Sequence, residues 1–193
     1  MPTSADDSFI RAARRRQLVE CAVEMIAEHG LAEASTVRIA KHAGVSRGVL
    51  TYHFRDRAEL LNQVVRRVYE LGAEVIGPAV TEAASPREAL LAFIGGSVEL
   101  HARYPRHLAA LTEIFAAEAR HDEQRRHARE LDDLAAILRA GQEQGQFRAF
   151  DIDVMATTIR RALDGALAAI AGGVPADRYA TELREIFDAA TRL

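Results

Sequence analysis

Gly44 constrains this chain more than any other residue. It stands in AGVS between two short stretches of helical periodicity. On one side, Thr36 is placed to cap a helix over residues 37–42, with Val37, Ile39, Ala40 and the following Ala43 on its apolar side and Arg38 and Lys41 facing out. Only a residue without a Cβ enters the left-handed conformation cheaply, so AGVS predicts a helix stop, a tight turn and a restart on a Ser46 cap. The second helix, over residues 47–53, has Val45, Val49, Leu50 and Phe54 to bury. Two short helices at this spacing predict a helix-turn-helix unit.

The residues left over on the second helix are Arg47, Gly48, Thr51 and Tyr52. Their chemistry fits a DNA duplex. A seven-residue helix is about 10 Å long and enters a major groove about 12 Å wide. Arg47 matches guanine O6 and N7, Thr51 a base edge or thymine methyl, and Tyr52 a phosphate, while Gly48 permits close approach. A plain helical corner would carry the same two helices, but the flanks speak against it. Asp56 followed by Glu59 predicts a capping-box start to the next helix, with Arg57 in its first turn beside amides that favour an anion. Upstream, Arg11, Arg14, Arg15 and Arg16 crowd the start of the first helix, where cations oppose the helix dipole and a phosphate would offset that cost. Arg11, Arg14 and Arg15 are read as DNA-facing. Arg16 reads equally as part of an i, i+4 ladder with Glu20, Glu24 and Glu28.

Over its first sixty or so residues the chain resembles the tetracycline-repressor (TetR) family of bacterial regulators. The resemblance is carried by a basic first helix ending EHGL, by TVRIAKHAGVSRGVL, by the aromatic run TYHF and by RDRAEL. It implies that the helix over residues 47–53 enters the major groove, with contacts from Arg38, Arg47, Gly48, Tyr52, His53 and Arg57. Arg14, Ser46 and Thr51 complete the candidate DNA-binding set. The family usually carries Tyr where this chain has Thr51, so one hydroxyl arm is shorter, and Arg57 replaces the more usual Lys with the charge kept.

Charge is distributed in the same sense. Residues 1–58 hold nine Arg or Lys against seven Asp or Glu, whereas 59–193 hold sixteen against twenty-one, so a locally basic head sits on an acidic remainder. A single cysteine, Cys21, permits no intrachain disulfide and lies with Leu18, Met25 and Ile26 on the apolar side of the first helix, where it reads as core. The start MPTSADDS has neither a basic nor an apolar signal region, and no apolar run approaches about 18 residues. These features predict a cytoplasmic chain with no membrane span.

Residues 60–193 read as helices separated by breakers, without a period-2 strand. Gly77–Pro78 is expected to stop the fourth helix, Ser85–Pro86 to start the fifth, and Tyr104–Pro105 to separate the fifth from the sixth. Later helices are expected over residues 105–119, 122–144, 152–171 and 176–192. The expected fold is therefore all-α with about nine helices: a three-helix DNA-binding head over residues 1–57 and a helical bundle for ligand binding and dimerisation over residues 58–193. The resemblance implies an inducer cavity among helices five to eight, placed near Phe93, His101, Tyr104, Leu108, Thr112 and Phe115. Gly95 and Gly96, each costing about 1 kcal/mol in a helix, imply a close approach to that backbone by a ligand or a packed helix. The apolar faces of the last two helices, with Ile159, Leu163, Leu167, Leu183, Ile186 and Phe187, are expected to form a homodimer interface. Two reading helices about 34 Å apart would then match a palindromic operator on double-stranded DNA.

Other classes find less support. His101/His107 and His121/His127 are each six residues apart, which separates the rings around a helix, so no metal and no cofactor is expected. A di-iron enzyme needs two Glu-x-x-His motifs, and only Glu118–His121 fits. A protein–protein adaptor would not need the cations of the head. The reading reached is a non-enzymatic, ligand-responsive regulator, a repressor released from its operator by a small-molecule effector.

Overall fold

The computed structural model describes residues 4–118 and 127–193. Among them the regular structure is helical: α1 Ser4–His29, α2 Thr36–His42, α3 Arg47–His53, α4 Arg57–Thr81, α5 Pro86–Arg103, α6 Pro105–Glu118, α7 His127–Glu143, α8 Ile152–Asp164, α9 Ala166–Ala171 and α10 Ala176–Thr191. The start expected for the seventh helix, the Glu118–His121 pair and the His121/His127 pair fall wholly or partly outside the described residues.

The turn chemistry follows the sequence closely. Gly30 (φ 79°) ends α1, and Gly44 (φ 67°) turns between α2 and α3. The Ser46 hydroxyl accepts from Val49 N at 3.3 Å and caps α3. The cap of α2 is Ser35, accepting from Arg38 N at 3.3 Å, one residue before the expected Thr36. Ser85 caps α5, whose first residue is Pro86, and the Asp151 carboxylate caps α8.

Two helices depart from expectation. Pro78 does not stop α4, which runs on to Thr81. Proline removes a single donor, and Glu82 N still reaches Pro78 O at 2.9 Å, so the last turn closes. The helix expected over residues 152–171 is interrupted at Gly165, which keeps right-handed helical angles. The Tyr179 hydroxyl donates to Ala162 O at 3.0 Å, occupying the carbonyl that the helical ladder would offer to Ala166. A Cβ at Gly165 would stand 3.1 Å from that hydroxyl.

The described chain forms two compact units. Residues up to 69, together with 106–118, make the first. Residues 70–105 and 127–193 make the second. Compact packing thus divides the chain at 69/70 within α4, and α6 joins the head. Its Ala110 and Ile114 are fully buried with Leu18, Ile26, Ile39, Leu50, Phe54 and Leu60 in one apolar core. The second unit has its own core of Leu90, Ile94, Val98, Leu134, Leu138, Phe147, Ile159, Leu163, Leu183 and Phe187. Its helices approach closely at glycine. Gly96 lies against α4, where a Cβ would meet Ile76 Cα at 3.2 Å, and a Cβ at Gly95 would occupy the place of the Arg184 guanidinium, which also donates to Leu91 O at 3.1 Å. Helix packing is what these two glycines serve.

Candidate nucleic-acid interface

Leu50 alone on α3 is fully buried, and it fastens the helix to the head core together with Phe54 just beyond it. Of the rest of the helix, His53 alone is partly buried. Arg47, Gly48, Thr51 and Tyr52 are exposed, Tyr52 to 67 %. The Arg11 guanidinium stands 5.2 Å from the Tyr52 ring centroid, a cation–π arrangement that brings the first helix and the reading helix to one face. Arg14 is exposed nearby on α1 and donates to Gln17 Oε1 at 2.8 Å. Val37 and Val49, assigned to the buried sides of their helices, are 53 % and 37 % exposed.

Other members of the predicted set have internal work. Ser46 is engaged as a cap, and the Thr51 hydroxyl donates back to Arg47 O and Gly48 O, both at 3.1 Å. Arg38 is exposed and paired with Glu33. Arg57, expected to face a phosphate, instead donates through Nε to Ala34 O at 3.2 Å and through Nη2 to Leu31 O at 2.5 Å. The reason is local: the loop after α1 leaves two carbonyls without helical partners, and a guanidinium presents donors in a fork that reaches both. Arg15, also read as DNA-facing, donates to His53 O, pairs with Glu59 Oε1 at 2.6 Å and lies 4.4 Å from the Phe54 ring centroid. It clamps the end of α3 to the start of α4. Glu59 in turn accepts from Arg55 N at 2.8 Å, while its own N–H donates to Asp56 Oδ1 at 2.7 Å. The Arg15 hydrogen bond, followed by the Arg55 amide, holds the Glu59 carboxyl below its usual range.

His53 is partly buried, and its Nδ1 has no hydrogen-bond partner. Burial lowers its pKa, and Arg11, Arg15 and Arg14 lower it further. Beside α3 lies an open depression of about 500 Å³ lined by Ala32, Ser35, Thr36, Arg47, Leu50, Thr51, Phe54, Arg55, Asp56 and Arg57. Arg55, with its side chain 82 % exposed, was missed by the sequence reading although it lies between two residues that were singled out.

The ladder expected on α1 is replaced by pairing between elements of the head. Glu20 meets His107 at 2.9 Å and Arg67 at 3.6 Å, Glu24 meets His42 at 2.8 Å, and Glu28 meets Arg106 at 3.4 Å. The positions proposed for an inducer are shared between the units. Phe93, His101 and Tyr104 belong to the second, whereas Leu108, Thr112 and Phe115 belong to the head. His101 is buried with Nδ1 2.7 Å from Ser97 O, Thr112 is exposed and donates to Leu108 O, and Phe115 packs on the head core. The positions expected at a dimer interface divide by burial within one chain. Ile159, Leu163, Leu183 and Phe187 are buried in the interior of their own unit, because the apolar stripes of α8 and α10 are consumed by packing within it. Leu167 is partly buried, and Ile186 remains 53 % exposed.

A helix-turn-helix with an exposed, arginine-flanked second helix is the arrangement by which many domains read DNA. Residues 18–64 match the family model described as bacterial regulatory proteins, tetR family. The likeness to that family by sequence lies in this amino-terminal part of the chain. The chain is 39 % identical over 87 residues to the HTH-type transcriptional regulator BetI 1 of Chromohalobacter salexigens, a match covering 45 % of this chain and 43 % of that protein. The alignment thus spans less than half of the relative's length. Similarity in fold extends further. The ketosteroid transcriptional regulator KstR2 of Mycobacterium tuberculosis superposes with a TM-score of 0.74 at 23 % identity, covering 93 % of this chain and 95 % of that one. AibR, solved in complex with isovaleryl coenzyme A and operator DNA, gives a TM-score of 0.77 at 21 % identity over 90 % and 97 % of the two chains. BetI 1 and KstR2 are described as transcriptional regulators, and no helix among the described residues is long and apolar enough to cross a membrane.

Proposed function

We propose that this chain is a cytoplasmic transcriptional repressor that binds a palindromic operator as a homodimer and leaves it when a small molecule binds. The observation that carries the reading is the face built from Arg11, Arg14, Arg47, Gly48, Thr51 and Tyr52, where cations, a hydroxyl and a bare backbone point away from the core. Arg47 reads a base edge, Tyr52 and Arg14 hold phosphates, and Gly48 admits the duplex close to α3. Arg38, Ser46, Thr51, His53 and Arg57 are assigned to the border of this contact. Arg57 and Ser46 act there by setting the geometry of α2, α3 and α4, and Arg38 reaches DNA once it leaves Glu33. The match to regulators over residues 18–64 supports the assignment.

The effector is assigned to the helical second unit, with Phe93, His101 and Tyr104 as its recognition positions on and just after α5. Leu108, Thr112 and Phe115 follow on α6, which belongs to the head, so this part of the chain is proposed to carry the response. α4 begins at Arg57 in the head and ends in the second unit, which makes it the second covalent route. Release requires the effector to prefer one of two conformations, typically by 1–3 kcal/mol. For self-association the exposed Ile186 and the partly buried Leu167 are the contact positions. Ile159, Leu163, Leu183 and Phe187 support them from inside.

The test is selection of duplexes from a genomic pool, followed by affinity measurements on the winning fragment. Arg47→Ala and Tyr52→Ala are expected to weaken binding by about 1–3 kcal/mol each while leaving helical content unchanged. The wild-type affinity should fall steeply with salt as phosphate neutralisation releases counterions. Equal affinity of both variants and a flat salt dependence would remove the reading.

A further inference from the structure

Outside the DNA-facing surface, the head brings together three side chains that the proposed function does not use. Cys21 and Glu24 lie three residues apart on α1 and share one face, and His42 is the last residue of α2. The thiol sulfur, a carboxylate oxygen and an imidazole nitrogen all lie within 4.8 Å of one another. We infer that Cys21, Glu24 and His42 form a binding site for a divalent cation of the zinc class, with water in the fourth position, which fastens α1 to α2.

The distances are close to what such a cation needs. Bonds of about 2.0 to 2.3 Å in a tetrahedral site put neighbouring donor atoms roughly 3.3 to 3.7 Å apart. His42 Nε2 and Glu24 Oε2 stand at 2.8 Å and would open slightly, while the sulfur, within 4.8 Å of both, would close by at most about 1 Å. Glu24 is partly and His42 largely exposed, so their side-chain torsions supply most of the adjustment, while Cys21 is partly buried against the head core. The donor set selects the metal. One thiolate, one imidazole and one carboxylate suit zinc, whereas magnesium and calcium require six or more oxygens.

Charge argues in the same direction. Glu24 and Glu20 both lie close enough to Cys21 to act on it electrostatically. Carboxylates so placed attract a dication. On binding, the Cys21 proton passes to solvent, sulfur donates an electron pair to the cation, and no atom changes oxidation state. Thiolate and carboxylate then neutralise the two positive charges. Glu20 stays outside, held by His107 and Arg67. The cross-link stiffens the seating of α2, against which α3 packs, and it is independent of how the head meets DNA.

Cobalt(II) is the probe, added to the full chain after chelator treatment. Expected are an intense near-ultraviolet thiolate-to-cobalt band, visible bands of tetrahedral intensity, saturation at one equivalent and displacement by zinc. Cys21→Ser should abolish the near-ultraviolet band. His42→Ala and Glu24→Gln should each weaken zinc binding about tenfold or more, and zinc should raise the melting midpoint of the wild type but not of Cys21→Ser. His42 and Glu24 are exposed enough that these variants carry the test even if Cys21→Ser folds poorly. Cobalt spectra lacking the thiolate band, or zinc affinity unchanged in His42→Ala and Glu24→Gln, would place any bound metal elsewhere and overturn the site.

Discussion

The head and the second unit bury their helices in opposite ways. On α3 Leu50 is fully buried and His53 partly, while Arg47, Gly48, Val49, Thr51 and Tyr52 are exposed. On α8 and α10 the apolar stripe is consumed inside the unit by Ala156, Ile159, Leu163, Ala180, Leu183 and Phe187. A short helix that gives so little to its own core is shaped by what it presents, whereas a long amphipathic helix is accounted for by packing alone. Packing therefore accounts for most of α8 and α10, Ile186 excepted, but leaves most of α3 unexplained.

The largest effect expected is on stability, and it asks whether the two units are as separate as their cores. Phe54→Ala empties a site in the head core and should cost about 3–5 kcal/mol. Denaturant unfolding combined with amide exchange should show protection lost across α1 to α3 and kept in α5, α8 and α10. Equal loss in both units would mean that they unfold as one and would break the comparison.

Glycine gives a second contrast. Gly141→Ala, in the second unit, places a methyl where the Phe147 ring now lies, and Phe147 is nearly completely buried. Overpacking there should cost about 1–3 kcal/mol. At Gly48 the nearest atom to an added Cβ is Ser46 Oγ at 3.6 Å, an ordinary separation, so Gly48→Ala should leave the melting midpoint unchanged or raised. Operator affinity should nevertheless fall, because the methyl occupies space assigned to the duplex. Unimpaired binding would remove Gly48 from the interface.

The arginines of the head sharpen the difference between holding and presenting. Arg57→Ala leaves the carbonyls of Leu31 and Ala34 without that donor and should lower stability by about 1–3 kcal/mol. Arg47→Ala should leave stability within about 0.5 kcal/mol and act on DNA affinity instead. Thermal melts and binding isotherms on the two variants separate the roles, and a stable Arg57→Ala protein with weakened binding would return Arg57 to the interface.

These pairs also mark what the sequence could tell. Gly44 and Ser46 act through local backbone chemistry, so the turn and the restart of α3 are written in adjacent residues. Arg15 and Arg57 take partners far along the chain, at His53 and Glu59 and at Leu31 and Ala34, and no local pattern separates such a clamp from a phosphate contact. The interruption at Gly165 depends on Tyr179, and the membership of α6 in the head depends on Ala110 and Ile114 meeting residues of α1 to α4. Periodicity reports that a face is apolar. It does not say which unit, or which copy, covers that face.

The smallest effects concern pH, and they differ between the units. His53 has a pKa below the ordinary 6.5 because burial and then the arginines of α1 disfavour its charged form. The unfolded chain binds that proton first, so the contribution to head stability is intact above pH 6.5 and is lost as the pH falls through the lowered value. In the second unit, the hydrogen bonds from Arg87 hold the Asp188 carboxyl below its ordinary 3.8, with Nη2 to Oδ2 at 2.6 Å. The same sign applies, but the loss begins only below pH 3.8. Acid titration followed by residue-resolved exchange should therefore show the head loosening first. His53→Gln should remove the earlier step without moving the later one, and Asp188→Asn should do the reverse. Loss of protection in both units at one pH in all three proteins would show that neither group sets the acid response of its own unit.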